Sequence, residues 1–297
     1  CRNVMNNVAI QDMSAFAKME VSGPAAREWL ESILANKVPK KMGRIALCHL
    51  LTPRGGVRSE FTVYEWSPGR FYLVSAGAYE RHDHDYLRKL CPTDGSVRLN
   101  PITTRFGVLV LAGPNSRKVL QKLTDADLSN EAFPWLSGKE ISVGNCTAHA
   151  LRVNFVGELG WEFHHPIEQQ IALFDLLMDA GKEFGIRPYG IKAMSSLSVE
   201  KSYRLVPREL SIEYNAYESG LDRFVHPNKG QFIGRDALLS QRQQGVNRRL
   251  VQFALSDPTP LLYHNEPIWR NNEIVGHIAS GMFGHHLGKS LGMGYVE

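Results

Sequence analysis

Phe155-Val156-Gly157-Glu158-Leu159-Gly160-Trp161-Glu162 sets two glycines and two glutamates into an otherwise apolar run. Glycines so placed mark a turn. Downstream stands a helical stretch, Ser196-Leu197-Ser198-Val199-Glu200-Lys201-Ser202-Tyr203-Arg204. Glu218-Ser219-Gly220-Leu221 follows, and then Phe232-Ile233-Gly234-Arg235-Asp236-Ala237-Leu238. Upstream, an internal repeat is visible. Lys18-Met19-Glu20-Val21-Ser22-Gly23-Pro24-Ala25-Ala26-Arg27-Glu28-Trp29-Leu30 recurs as Val108-Leu109-Val110-Leu111-Ala112-Gly113-Pro114-Asn115-Ser116-Arg117-Lys118-Val119-Leu120. In both copies a strand runs into Gly-Pro and then an amphipathic helix. Proline suits the first helical turn, where its missing N–H would have no partner. The unit reads as a strand–turn–helix used twice for packing. A phosphate loop would carry more glycines and a Lys-Ser/Thr end.

Between the copies the chain is β-rich. Phe61-Thr62-Val63-Tyr64-Glu65-Trp66 and Arg70-Phe71-Tyr72-Leu73-Val74-Ser75 flank Ser67-Pro68-Gly69, which predicts a hairpin. A helix is expected over 78–90 and another over 167–180. The second has Ile167, Ile171, Phe174, Leu177 and Met178 on one face and Gly181 as its stop. The last stretch reads as short strands, with Asn271-Asn272 turning between Pro267-Ile268-Trp269 and Ile274-Val275-Gly276. Strands and helices interleave in the manner of an α+β chain, not of a parallel α/β sheet. No G-x-G-x-x-G occurs, so the chain carries no dinucleotide fingerprint.

Composition sets the remaining bounds. With 297 residues there is room for two or three domains. A net charge of +4 is spread without a basic block, so nothing implies nucleic acid, while a mildly positive surface suits an anionic small ligand. Cys1, Cys48, Cys91 and Cys146 are widely spaced, with no C-x-x-C, and the simple reading is a reducing compartment. No apolar run approaches the ~20 residues that span a bilayer. The chain starts on Cys1 and ends within what reads as a strand, so a fragment of a longer polypeptide is expected.

The order of these motifs resembles the folate-binding aminomethyltransferase family, the glycine cleavage T-protein and its relatives. The closer resemblance is to the C-terminal half of dimethylglycine and sarcosine dehydrogenases. It implies an α+β fold of three small domains in a cloverleaf, with antiparallel sheets and folate in the central hole. The first domain would be discontinuous, 1–52 plus 148–246, with an α+β domain inserted over 53–147. A β-barrel-like domain, cut short, would occupy 247–297. The implied activity is tetrahydrofolate-dependent one-carbon (aminomethyl) transfer. In the dehydrogenase-type relatives a flavin domain oxidises an N-methyl amine, and the folate domain captures the one-carbon unit as 5,10-methylenetetrahydrofolate. FAD would then sit only on a domain outside this chain, covalently continuous with it or associated with it. The expected compartment is the cytoplasm, or the mitochondrial matrix in a eukaryote.

The resemblance also nominates residues. Glu60 follows Thr52-Pro53-Arg54-Gly55-Gly56-Val57-Arg58-Ser59, where the Gly-Gly pair permits a turn with positive φ or a close backbone approach. It matches the family's acidic residue near the reacting folate nitrogens and is expected as catalytic base or electrostatic stabiliser. Glu162 matches the last glutamate of the family's G-E-x-G-x-E motif, whose carboxylate accepts the side-by-side N–H and amino group of a pterin. Glu158 reads as a structural residue of the turn. Phe16, Leu47, Tyr72 and Val74 match apolar walls of the folate pocket.

Departures from the pattern touch the same site. Phe155 stands where the family commonly has tyrosine, which removes a hydroxyl. Met194 and Ser198 stand where the T-protein helix has arginines, which alters tail-carboxylate recognition or a packing ion pair. These departures leave open a non-catalytic folate-binding or regulatory module, and a folate-dependent demethylase is a third reading. His82-Asp83-His84-Asp85 reads as a polar helix start, since i and i+2 side chains diverge on a helix, and no metal is expected. His164-His165 and His285-His286 are expected to be solvated or capping. Ser195-Ser196 lacks a G-x-S-x-G context.

Overall fold

A computed structural model describes residues 1–297. In chain order the elements are α1 (Arg2–Asn6), β1 (Ala9–Asp12), β2 (Ala17–Ser22), α2 (Ala26–Ile33), β3 (Ile45–Leu51), β4 (Val57–Ser67) and β5 (Arg70–Ser75). There follow α3 (Glu80–Leu90), β6 (Arg98–Pro101), β7 (Phe106–Ala112), α4 (Ser116–Gln121), β8 (Gly138–Val143), β9 (Cys146–Leu151) and β10 (Gly160–Pro166). Then come α5 (Gln170–Gly181), β11 (Arg187–Pro188), α6 (Ile191–Glu200), α7 (Arg235–Gln244), β12 (Arg249–Ala254), β13 (Pro267–Arg270), β14 (Glu273–Gly284) and β15 (Lys289–Val296). The chain divides into two compact units. One comprises Cys1–Ala26, Pro39–Ala46 and Thr62–Met194; the other comprises Arg27–Val38, Leu47–Phe61 and Ser195–Glu297.

The first unit contains a six-stranded sheet of order β11-β1-β7-β10-β9-β8, antiparallel except where β1 meets β11. Side chains alternate faces along a strand. On β10, Trp161 and Phe163 therefore share one face, and they pack into the core with Leu111 and Leu109, their register partners on β7. Leu173 and Leu177 of α5 and Val119 and Leu120 of α4 close that core. The opposite face of β10 carries Glu162 and His164. A second cluster of the same unit gathers Tyr64, Tyr72, Val74, Ile102 and Leu151, with Phe16, Trp66 and Phe106 against it. It is built on the predicted hairpin, in which Tyr64 faces Tyr72 and Thr62 faces Val74.

The internal repeat is structural. Gly23 ends β2 at φ +120° and Gly113 ends β7 at φ +130°, both in the region that side chains disfavour. A Cβ on Gly23 would collide with the carbonyl of Ser96, and one on Gly113 would lie 2.6 Å from the carbonyl of Asn7. The helix after each Gly-Pro is α2 or α4.

In the second unit, β12-β15-β14-β13 form an antiparallel four-stranded sheet. Asn271 and Asn272, at φ +53° and +66°, make the tight turn between β13 and β14. Tyr214 stacks on Tyr295 with centroids 3.5 Å apart, and the Tyr295 hydroxyl donates to the carbonyl of Glu209 at 2.6 Å. A separate cluster joins Leu51, Val57, Leu210, Leu221 and Leu238.

Two local expectations are corrected. Helix α5 buries Leu173, Leu177 and Ala180, while Ile171 is 76% exposed. The helix is apolar nearly all round, so spacing alone does not select its inner face. Its stop is Gly185 at φ +65°, after a 3-10 turn over Lys182–Phe184. Gly181 instead makes room for Ile186, 2.7 Å from where its Cβ would stand.

Candidate functional site

Three neighbouring strands align Gln11, Val110 and Glu162 in one row, because Val110 of β7 pairs with Gln11 of β1 and with Glu162 of β10. This row lines a cleft of the first unit, together with Met13 and Phe16, Phe155 and Val156, and Tyr189 and Met194. The cleft is narrow, with a free volume of about 10 Å³, room for about one water molecule. Phe16 and Phe155 are half-buried. Asn154 shapes the turn before Glu162: its side-chain oxygen accepts from the N–H of Val156 at 3.0 Å and of Gly157 at 3.1 Å. Its amide donates to the carbonyl of Glu158 at 2.8 Å. Met194, where the T-protein pattern has arginine, lines the cleft with an uncharged side chain.

Burial dominates the electrostatics. The carboxyl of Glu162 is pushed up to about 8 by desolvation. Its Oε2 lies 3.4 Å from His164 Nε2, and His164 Nδ1 lies 3.0 Å from the Tyr72 hydroxyl. Burial, with Lys18 and His165 adding to it, lowers His164 to about 3, so the imidazole is neutral. Burial also holds the Tyr72 hydroxyl protonated, its pKa well above the ordinary value. The Tyr189 hydroxyl is buried without a hydrogen-bond partner, although its residue is fixed by a main-chain bond to Ile10 at 2.9 Å. Lys18, fully buried and lowered to about 8 by desolvation, donates to the carbonyls of Ser14 and Phe16 at 2.8 and 2.9 Å.

The nominated residues divide between the units. Glu162, Phe155 and Phe16 meet at the cleft. Tyr72 and Val74 are buried in the cluster against which Phe16 packs. Glu60 and Leu47 belong to the second unit. Leu47 is half-buried on β3, and its carbonyl accepts from the Asn36 amide at 2.6 Å. Glu60 stands on β4 with its side chain 18% exposed, and its Oε2 is 3.0 Å from Nε2 of the fully buried His49. Both readings of the Gly-Gly pair hold, since Gly55 has φ +86° and a Cβ on Gly56 would collide with the carbonyl of Ile212.

His164 and His165 are not solvated; both are fully buried, and His165 Nε2 lies 2.7 Å from Gln170 Oε1. The missed signal was the two-residue period of β10, which puts Glu162 and His164 on one face. In the His-Asp-His-Asp stretch, Asp83 is buried and accepts from the Ser75 hydroxyl at 2.8 Å. The four cysteines are unpaired thiols, and no helix is long and apolar enough to cross a membrane.

Comparison with known proteins agrees with this architecture. Residues 1–229 match the family model of the GCVT N-terminal domain, and residues 248–297 match that of the glycine cleavage T-protein C-terminal barrel domain. Human mitochondrial dimethylglycine dehydrogenase is 40% identical over 297 residues, which cover 99% of this chain and 34% of that protein. The chain thus spans about a third of the length of that relative. An aminomethyltransferase of Thermoanaerobacter sp. (strain X514) is 29% identical over 99% of this chain and 79% of its own. The crystal structure of glycine cleavage system aminomethyltransferase T from Bartonella henselae shares the fold, with a TM-score of 0.88 at 24% identity over 99% of this chain and 80% of that one. With its N-terminal model alone covering most of the sequence, the chain belongs to the glycine cleavage T-protein family.

Proposed function

We propose that this chain binds tetrahydrofolate and serves one-carbon (aminomethyl) transfer, as the folate-handling part of a flavin-linked N-methyl amine dehydrogenase of the dimethylglycine or sarcosine type. Membership of the family and the likeness to dimethylglycine dehydrogenase support the reading. The observation that carries it is Glu162, a buried carboxyl on the floor of an apolar cleft.

The lining fits a reduced pterin in chemistry. A carboxylate with two acceptor oxygens suits an N–H beside an amino group. Phe16, Phe155, Val110 and Met194 offer the flat apolar walls that a ring needs. The partnerless Tyr189 hydroxyl gains from a polar ligand atom that its burial otherwise denies it. Admitting a ring requires the half-buried Phe16 and Phe155 to move aside. When bound, tetrahydrofolate supplies the nitrogen nucleophiles that take up the one-carbon unit as 5,10-methylenetetrahydrofolate.

The chain's own groups then take distinct tasks. Glu162 accepts the ring's N–H donors and orients it. Glu60, held by His49, accepts the proton released during transfer or stabilises the cationic carbon donor; that role rests on the sequence resemblance. Leu47, Tyr72 and Val74 are proposed as apolar surroundings of the ligand on the same basis. FAD and the amine substrate belong to the proposed flavin partner domain.

Calorimetric titration with tetrahydrofolate tests the binding step. Glu162→Ala is expected to weaken binding at least about tenfold, the loss of a charge-assisted pair of hydrogen bonds. Equal affinities in the two proteins would contradict the assignment.

A further inference from the structure

Behind Glu162 lies a line of polar contacts that the proposed function does not use. Tyr72 of β5, His164 of β10 and Glu162 form a chain of contacts of 3.0 and 3.4 Å. Neither Tyr72 nor His164 is exposed, and their polar atoms face each other and not solvent. The Tyr72 ring is itself clamped, stacked on Trp66 at 4.7 Å and edge-on to His164 at 5.3 Å. Buried polar groups assembled this closely are either fully satisfied or costly.

We propose that His164, braced by Tyr72, is the positioning residue of Glu162, and that its tautomer follows the charge on that carboxyl. The proposal rests on the reading of Glu162 as the ring anchor. The hydrogen-bond inventory admits two consistent arrangements. With Glu162 ionised, Nε2–H donates to Oε2 and the Tyr72 hydroxyl donates to Nδ1. With Glu162 protonated, its O–H donates to Nε2, and Nδ1–H donates to the Tyr72 oxygen. The imidazole holds one proton in both, so ionising Glu162 releases one proton to water in all. Either way Oε2 is tied from behind on one side only, and Oε1 together with the second lone pair of Oε2 is left for a ligand. A carboxyl fixed in this way spends no rotamer entropy on binding.

Other titratable groups face the pair from several elements. Lys18 of β2 and His165 of β10 act on His164, as does His149 of β9. Tyr189 faces Glu162. His164 itself touches both Glu162 and Tyr72, so the coupling passes through it.

Long-range proton–nitrogen NMR on histidine-labelled chain, without any folate, tests this. His164→Gln assigns the signal. The expected result is an Nδ1–H tautomer at about pH 6 and an Nε2–H tautomer at about pH 9.5, with no change between them in Glu162→Gln. In Tyr72→Phe the preference should blur, because one arrangement loses its donor and the other its acceptor. Tetrahydrofolate affinity should fall about tenfold in His164→Phe and less than about threefold in His164→Gln, which keeps an N–H donor. A tautomer that ignores both pH and Glu162→Gln would overturn the proposal. So would full affinity in His164→Phe alongside lost affinity in Glu162→Ala. If His164→Phe does not fold, Tyr72→Phe carries the same comparison. Absence of folate binding in the unaltered protein would sink the functional reading alone, because the tautomer is read without ligand.

Discussion

Glu162 and Glu60 are both strand carboxylates beside a fully buried histidine, and they are held differently. His164 is gripped at both nitrogens, by Glu162 on one side and by the Tyr72 hydroxyl on the other. His49 touches Glu60 through Nε2, while its Nδ1 has no hydrogen-bond partner and its ring meets the edge of Phe224 at 5.9 Å. Glu162 is 10% exposed at the side chain and Glu60 18%. A carboxyl pinned from behind suits recognition, where geometry must not vary. One with a single partner and more water suits proton exchange.

The comparison can be broken from either side. The largest effect is expected at Glu60. Glu60→Gln should slow one-carbon transfer, followed by stopped-flow absorbance, by about 10²–10³-fold, with tetrahydrofolate affinity within about twofold of normal. Parallel loss of binding and rate would make Glu60 a second anchor instead.

Stability against pH separates the pinned carboxyl next. Glu162 ordinarily titrates near 4.5 and is raised to about 8 by burial. Its folded pKa lies above the unfolded one, so the contribution is complete below 4.5 and fades as pH rises through 8. The slope is on the order of 1 kcal/mol per pH unit inside that window. Glu162→Gln should flatten it, as read by urea unfolding at a series of pH values. His164 works in the opposite sense. Lowered from 6.5 to about 3, it contributes fully above 6.5, and that contribution is lost as pH falls toward 3.

Smaller effects sharpen the two histidines. Tyr72→Phe removes the hydroxyl from a buried imidazole nitrogen and should cost about 1–2 kcal/mol in denaturant unfolding. Phe224→Leu, beside His49, removes only an edge-on ring contact and should cost about 0.5–1 kcal/mol beyond any change in burial. Equal losses would mean that the two histidines are held alike.

Much of this was legible beforehand, and the particular residues show why. Gly-Pro within each copy of the repeat marked both strand ends, because positive φ and a missing N–H are local needs written in residue type. Ser67-Pro68-Gly69 and Asn271-Asn272 marked their turns for the same reason. Glu162 could be nominated because the glycine spacing around it matches the G-E-x-G-x-E motif of the family that the sequence resembles. His164 could not be paired from sequence spacing, since Tyr72 is 92 residues away and only the pairing of strands brings them together. The inner face of α5 is not legible in the sequence because Ile171 and Leu173 are both strongly apolar, and the choice between them is made by the core against which the helix packs.

The most direct measurement is calorimetry of tetrahydrofolate binding near pH 7 in two buffers of different ionisation enthalpy. The carboxyl of Glu162 is protonated in the free protein if burial holds it at about 8, and accepting two N–H donors favours the carboxylate. Binding should therefore release up to about one proton at pH 7 and almost none at about pH 9.5, and Glu162→Gln should abolish the release. Binding with no proton released at either pH, or with release that persists in Glu162→Gln, would contradict the placement of the ring on Glu162.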